Sequence, residues 1–238
     1  QTDTPLYIAH MTCREAIAEL QKAKGTGQRV SGETCTHYLT TTKEVLDNPD
    51  FNEAAKFVCS PALRDREDCE ALWQALSDGL LTAVSSDHCG IDVAELKQAG
   101  RNDFTQIPNG SPGPRDRLHM VWTEGVCTGK LTRQKFVDVI ATQPAKINGI
   151  YPRKGTLAVG SDADIVIFDP NYEGTVHLAD NPNGVDYNLY EGRRQSGRVE
   201  TVLLRGQVVV ENAKFVGRYG QGKFIPANMY ASGYETRN

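Results

Sequence analysis

The sequence predicts an α/β fold: a parallel sheet with interleaved helices, followed by a short antiparallel β region. Three observations predict it. Three short runs, Leu6 to Ala9, Leu81 to Ser86 and, weaker in pattern, Arg29 to Thr34, each give way to a helical or loop-like stretch, and such alternation implies right-handed βαβ units on a parallel sheet. Two of the runs end on residues able to do chemistry, His10 and Asp87, and in a (β/α) barrel the C-terminal ends of the strands are where chemistry is placed. Near Gly155 the pattern changes to short β segments broken by turns.

Each element has a local reason. Thr12 followed by Glu15 reads as a capping box, with Ala16, Ile17, Leu20 and Ala23 on one helical face. Asp65 to Asp78 reads as a helix with Leu72, Trp73 and Leu76 on its apolar side. Lys130 to Ile150 is again helical in pattern and closes with Gly149 and Pro152. Beyond the change of texture, Asp164 to Pro170 reads as a short strand stopped by its proline. Val199 to Leu204, Arg205-Gly206 and Gln207 to Val210 form a hairpin pattern. The predicted units are therefore 1–154, 155–216 and a tail, 217–238, rich in Gly, Tyr and Asn and expected to lie over a neighbour or to move.

Composition narrows the function classes. Over 238 residues, 39% hydrophobic and 24% charged residues are the proportions of a soluble globular protein. A net charge of −4 argues against a nucleic-acid or anionic-membrane surface. No apolar run approaches the roughly 20 residues of a membrane span. The N-terminal Gln1-Thr2-Asp3-Thr4-Pro5 has neither a basic nor an apolar signal region and no initiator Met, which points to a true start elsewhere. Six cysteines without a CxxC pair suit reduced thiols in a cytoplasmic protein.

Four places could carry chemistry, and each has a plainer reading beside it. A carboxylate at Asp87 could ligate a divalent metal and accept a proton, or it could only cap a helix or steady a loop. His10 could be a zinc ligand or a structural hydrogen-bonding histidine. The turn-rich stretch from Phe104 to Gly113 could be a shaped binding loop with exposed backbone groups, or a connection. Ser60 to Arg64 raises the same two possibilities. His37, His119 and His177 do not obviously complete a ligand set, and two ligands fall short of the about three that a hydrolytic zinc needs.

The pieces occur together in an order that carries more information. His10-Met11-Thr12-Cys13, Gly32-Glu33-Thr34-Cys35, Ser60-Pro61-Ala62-Leu63-Arg64, Ser86-Asp87-His88-Cys89 and Asp103-Phe104-Thr105-Gln106-Ile107-Pro108-Asn109-Gly110 resemble the dihydropyrimidinase/hydantoinase branch of the amidohydrolase superfamily. Pro144-Ala145-Lys146, Tyr151 to Gly155, Gly160 to Asp164, Asp186-Tyr187-Asn188 and Tyr190-Glu191-Gly192 extend the resemblance over nearly the whole chain. It implies the C-terminal part of a (β/α)8 barrel, about strands six to eight, followed by strands of a small β-sandwich.

By the same resemblance the cofactors are two divalent metal ions, usually zinc, bridged in the family by a carboxylated lysine. His10 matches a metal ligand, Asp87 a metal ligand that is also the general base, and Ser60 and Asn109 the main-chain groups that hold a cyclic amide. The family's His-x-His pair, bridging lysine and further histidine have no counterpart here. The chain is therefore expected to be one segment of a longer protein, completed by an N-terminal half and not folding alone as an enzyme. Gly90-Ile91 stands where relatives often have Pro-Phe, and Thr36-His37 where Pro-Gln is common. The implied reaction is hydrolytic ring opening of a dihydropyrimidine or 5-substituted hydantoin in a cytoplasmic dimer or tetramer. The alternatives are a non-catalytic structural or signalling oligomer like the collapsin-response proteins, and an allantoinase or dihydroorotase activity.

Overall fold

A computed structural model describes residues 4–182 and 184–228. The three runs become β1 (Leu6–Ile8), β2 (Val30–Cys35) and β3 (Ala83–Ser85), all parallel, in the order β1-β2-β3. The helix α1 (Arg14–Gly25) returns the chain from β1 to β2. Between β2 and β3 lie α2 (Thr36–Thr40), α3 (Phe51–Ala55) and α4 (Arg66–Ser77). Among the described residues β1 and β3 each pair on one side only, so the sheet has two open edges whose backbone groups lack strand partners.

The helix starts differ from expectation in one case. α4 begins as predicted: Asp65 and Asp68 form a capping box, and Leu72, Trp73 and Leu76 are buried. α1 begins at Arg14 with Cys13 at the N-cap and no side-chain cap. Thr12 is buried and its hydroxyl accepts from Arg64 Nε at 3.3 Å. The Arg14 amide instead donates to Asp68 Oδ1 at 3.0 Å. A carboxylate supplied by α4 thus does the work of a local cap. Leu20, Leu39, Leu72, Trp73, Leu76 and Val84 form the centre of the main core.

After β3 the chain runs through a long irregular stretch into α5 (Pro114–Val121), which has Pro in its first turn and continues as a π turn, Trp122–Val126. The predicted 130–150 helix is α6 (Arg133–Val137), a second π turn and α7 (Gln143–Ile147). A smaller core of Val93, Met120, Val176, Tyr187, Leu189 and Tyr190 lies under the irregular stretch.

The second sheet is antiparallel, in the order β4 (Ile165–Thr175), β5 (Arg194–Leu204), β6 (Gln207–Glu211), β7 (Lys214–Phe215). Pro170 does not stop β4. Between Asp169 and Glu173 the register against β5 shifts from Arg198 to Ser196, so β4 uses more residues than its partner. Pro170 sits in that bulge, where no ladder amide is required. The expected hairpin is present: Arg205 (φ 49°) and Gly206 (φ 79°) turn β5 into β6, two left-handed residues as a type I′ turn demands. One face of this sheet rests on the helix that begins with α5. Ser196 N donates to Thr123 Oγ1 at 3.0 Å, and the Trp122 and Phe168 rings meet edge-on at 4.8 Å. In the tail, Asn228 N donates to Gly149 O at 2.9 Å; residues 229–238 of the expected contact segment lie outside the described residues.

Candidate active site

His10 follows β1 and Asp87 follows β3. Because the strands are parallel, both leave the sheet at its C-terminal edge. Both are in the left-handed backbone region, His10 at φ 38° and Asp87 at φ 45°. For residues with a Cβ this conformation is strained, and such strain gathers at functional sites. His10 is half-buried; Asp87, Ser60 and Asn109 are exposed.

Glu33 on the central strand ties the edge together. It accepts from the Tyr7 hydroxyl of β1 at 2.5 Å and from Ser85 Oγ of β3 at 2.7 Å. The chain then enters α2 between the two candidate ligands. Burial, reinforced by the nearby His10, pulls His37 down to about 4, and its Nε2 has no hydrogen-bond partner among the described residues. Burial pushes the Cys35 thiol up to about 12, with the Glu33 and Asp87 carboxylates adding to the effect. His37 is thus neutral and Cys35 a thiol at neutral pH.

The loops bearing Ser60, Asp87 and Asn109 are fastened to one another. Gly110 N donates to Val58 O at 3.0 Å, Ser111 Oγ donates to Lys56 O at 3.0 Å, and Cys89 N donates to Ser111 O at 3.1 Å. His88 and Ser111 form an isolated parallel bridge. Tyr38 donates its hydroxyl to Pro61 O at 2.6 Å, anchoring the Ser60 turn to α2, and Arg64 links that turn to Thr12 beside His10. Asp186 accepts from Val93 N and Ala94 N at 2.9 and 2.7 Å. The Asp186-Tyr187-Asn188 segment thereby holds the stretch between Asp87 and Asn109. Just beyond that stretch a Cβ on Gly113 would come within 3.0 Å of Ser86 O and 3.3 Å of Ser86 Cβ, so a larger residue at the start of α5 would press on the strand end that leads to Asp87.

Sequence reasoning missed Glu33 as the cross-strand link and Lys97 as a buried cation. Glu33 was legible only as a carboxylate inside a short strand of small and polar residues. Lys97, between Leu96 and Gln98, carries no local signal. Among the described residues no group of three or more His, Cys, Asp or Glu side chains is arranged to hold a metal ion. An imidazole and a carboxylate, neither hydrogen-bonded to a described residue, are nonetheless donors that suit a divalent ion as part of a larger set.

A parallel sheet with polar residues in left-handed backbone at its C-terminal edge is the arrangement at which α/β folds place ligands and chemistry. Residues 8–209 match the Amidohydrolase family, and the chain belongs to that family. It is 47% identical over 228 residues to a D-hydantoinase of Ralstonia pickettii, covering 96% of this chain and 50% of that protein. A dihydropyrimidinase of Arabidopsis thaliana is 39% identical over 223 residues, 94% of this chain and 42% of that protein. The crystal structure of a dihydropyrimidinase from Brevibacillus agri NCHU1002 superposes with a TM-score of 0.93 at 43% identity, over 99% of this chain and 50% of that one. The chain thus spans about half the length of the relatives it matches, with a mixed α/β fold. No helix among the described residues is long and apolar enough to cross a membrane.

Proposed function

We propose that this chain is the C-terminal part of a cyclic-amide hydrolase of the hydantoinase/dihydropyrimidinase kind. The observation that carries the reading is the pair His10 and Asp87, both in left-handed backbone at one edge of a parallel sheet, in a chain 47% identical to a D-hydantoinase. On this reading β1 to β3 are barrel strands six to eight, residues 1–154 are barrel, 155–216 contribute to a β-sandwich, and 217–238 form a tail at a subunit contact. The open edges of the sheet are covered by the N-terminal half of the protein, which supplies the remaining ligands. The complete enzyme is a cytoplasmic dimer or tetramer.

Two divalent ions, zinc by the donor types, would polarise the ring carbonyl and acidify water when bound. His10 and Asp87 are the residues of this chain that would hold them. Asp87 accepts the proton of the attacking water and returns it to the ring nitrogen as the C–N bond breaks. Main-chain groups at Ser60 and Asn109 orient the ring, so that the carbonyl carbon faces Asp87 when substrate binds.

The test is a panel of dihydrouracil, 5-substituted hydantoins, allantoin and dihydroorotate with the full-length protein in zinc. Opening of the first two supports the reading; turnover confined to allantoin or dihydroorotate moves it to those chemistries. No opening of any ring defeats it in favour of a non-catalytic oligomer. In the active protein Asp87→Ala lowers kcat by at least about 10³-fold, and retention of most activity removes Asp87 from the role of base.

A further inference from the structure

Lys97 is fully buried, and none of its hydrogen bonds goes to a carboxylate. Its ammonium donates to three carbonyl oxygens: Ala55 at 2.7 Å, Gly110 at 2.8 Å and Val58 at 3.2 Å. All three N–H groups are thereby used. The Tyr187 ring lies 5.9 Å from Nζ, and the Tyr187 hydroxyl donates to the same Gly110 oxygen at 3.4 Å. The other ionisable groups that bear on the amine are Cys59 and Cys89.

Burying a cation without an anion is costly, and an apolar side chain would fill the same space more cheaply. What only an ammonium supplies is three diverging donors. They converge on two segments distant in sequence. Ala55 and Val58 lead into Ser60, and Gly110 follows Asn109. We propose that Lys97 is a positioning residue for the cyclic-amide site: by drawing these carbonyls onto one atom, it sets the spacing of the Ser60 and Asn109 main chains that grip the ring. This rests on the function proposed above and adds a residue that touches no substrate.

Burial draws the Lys97 amine down from the usual lysine value to about 8. Above that pH it keeps two N–H groups, and one of the three carbonyls loses its bond to the lysine. The grip on the ring therefore loosens as pH rises through about 8.

The experiment is steady-state hydrolysis of dihydrouracil by the full-length, zinc-loaded protein between pH 6.5 and about 9.5, a range chosen to bracket the amine. Wild type is expected to lose kcat/KM through a rise in KM above pH of about 8. Lys97→Met is expected to raise KM about tenfold at neutral pH, with a smaller change in kcat, and to lack the alkaline rise in KM. A KM within about twofold of wild type, or an alkaline rise retained by Lys97→Met, overturns the proposal. If Lys97→Met does not fold, Tyr187→Phe takes its place: it removes the second donor to Gly110 O and should raise KM about twofold to threefold at unchanged kcat. An unchanged KM then overturns the proposal. A wild type that opens no ring defeats the functional reading and this inference with it; an active wild type with unaffected variants defeats the inference alone.

Discussion

The two sheets of this chain are stabilised in opposite ways. Helices pack against the parallel sheet, although its two edges are open among the described residues, and Leu20, Leu72, Leu76 and Val84 are all almost fully buried. Its rim is fastened by side chains from far along the chain, such as Asp68 on Arg14, Arg64 on Thr12 and Asp186 on Val93. The antiparallel sheet is ordered by its own turns and by one helix, while Val166, Ile167, Val208 and Phe215 remain exposed. The difference teaches where rigidity is concentrated. The long-range contacts of the parallel sheet gather at the rim that carries His10 and Asp87, as a site that must hold its geometry requires.

Substitutions can break or sharpen this contrast, beginning with the core of the parallel unit. Trp73→Ala removes a buried ring whose Nε1 donates to Leu39 O at 3.0 Å, and should cost about 3–5 kcal/mol in urea unfolding of the full-length protein. Val208→Ala, on the exposed face of the other sheet, should cost less than about 1 kcal/mol. Similar costs at the two positions would remove the distinction.

The next effect depends on pH. His37 is held well below its unfolded value of 6.5, at about 4, so between these values the unfolded chain binds more protons than the folded one. Stability is complete above 6.5 and is lost as pH falls toward about 4, by about 2–3 kcal/mol. His37→Gln should abolish that part of the acid loss; an unchanged unfolding profile over this range would show that His37 is protonated at no cost.

The smallest effect belongs to the hairpin. Gly206 has open space around it but a φ of 79°, so Gly206→Ala should cost about 1–2 kcal/mol through backbone strain alone. The readout is faster amide exchange in β5 and β6, with β1 to β3 unaffected. Faster exchange in both sheets would mean that they unfold as one unit.

What could be read from the sequence follows the same division. The Arg205-Gly206 hairpin and α4 were legible because their signals are local: a turn dipeptide, and the apolar face of Leu72, Trp73 and Leu76. His10 and Asp87 were visible as polar residues ending apolar runs. The Thr12 capping box was misread because the donor at Arg14 is satisfied from Asp68, 54 positions away. Pro170 was misread because a bulge relieves it of its ladder bond. Lys97 gave no sign, since its burial depends on carbonyls at 55, 58 and 110 that meet only once the loops have closed.

Gly113 offers a consequence of its own. The helix that supports the antiparallel sheet starts against Ser86, at a spot where one further carbon would be tightly packed. A methyl group added there carries no charge and alters no reacting atom, yet it must push the strand end bearing Asp87 by a few tenths of an ångström. That makes residue 113 a built-in gauge: enlarging it stepwise would measure, in lost turnover, how small a shift of its base the chemistry can tolerate.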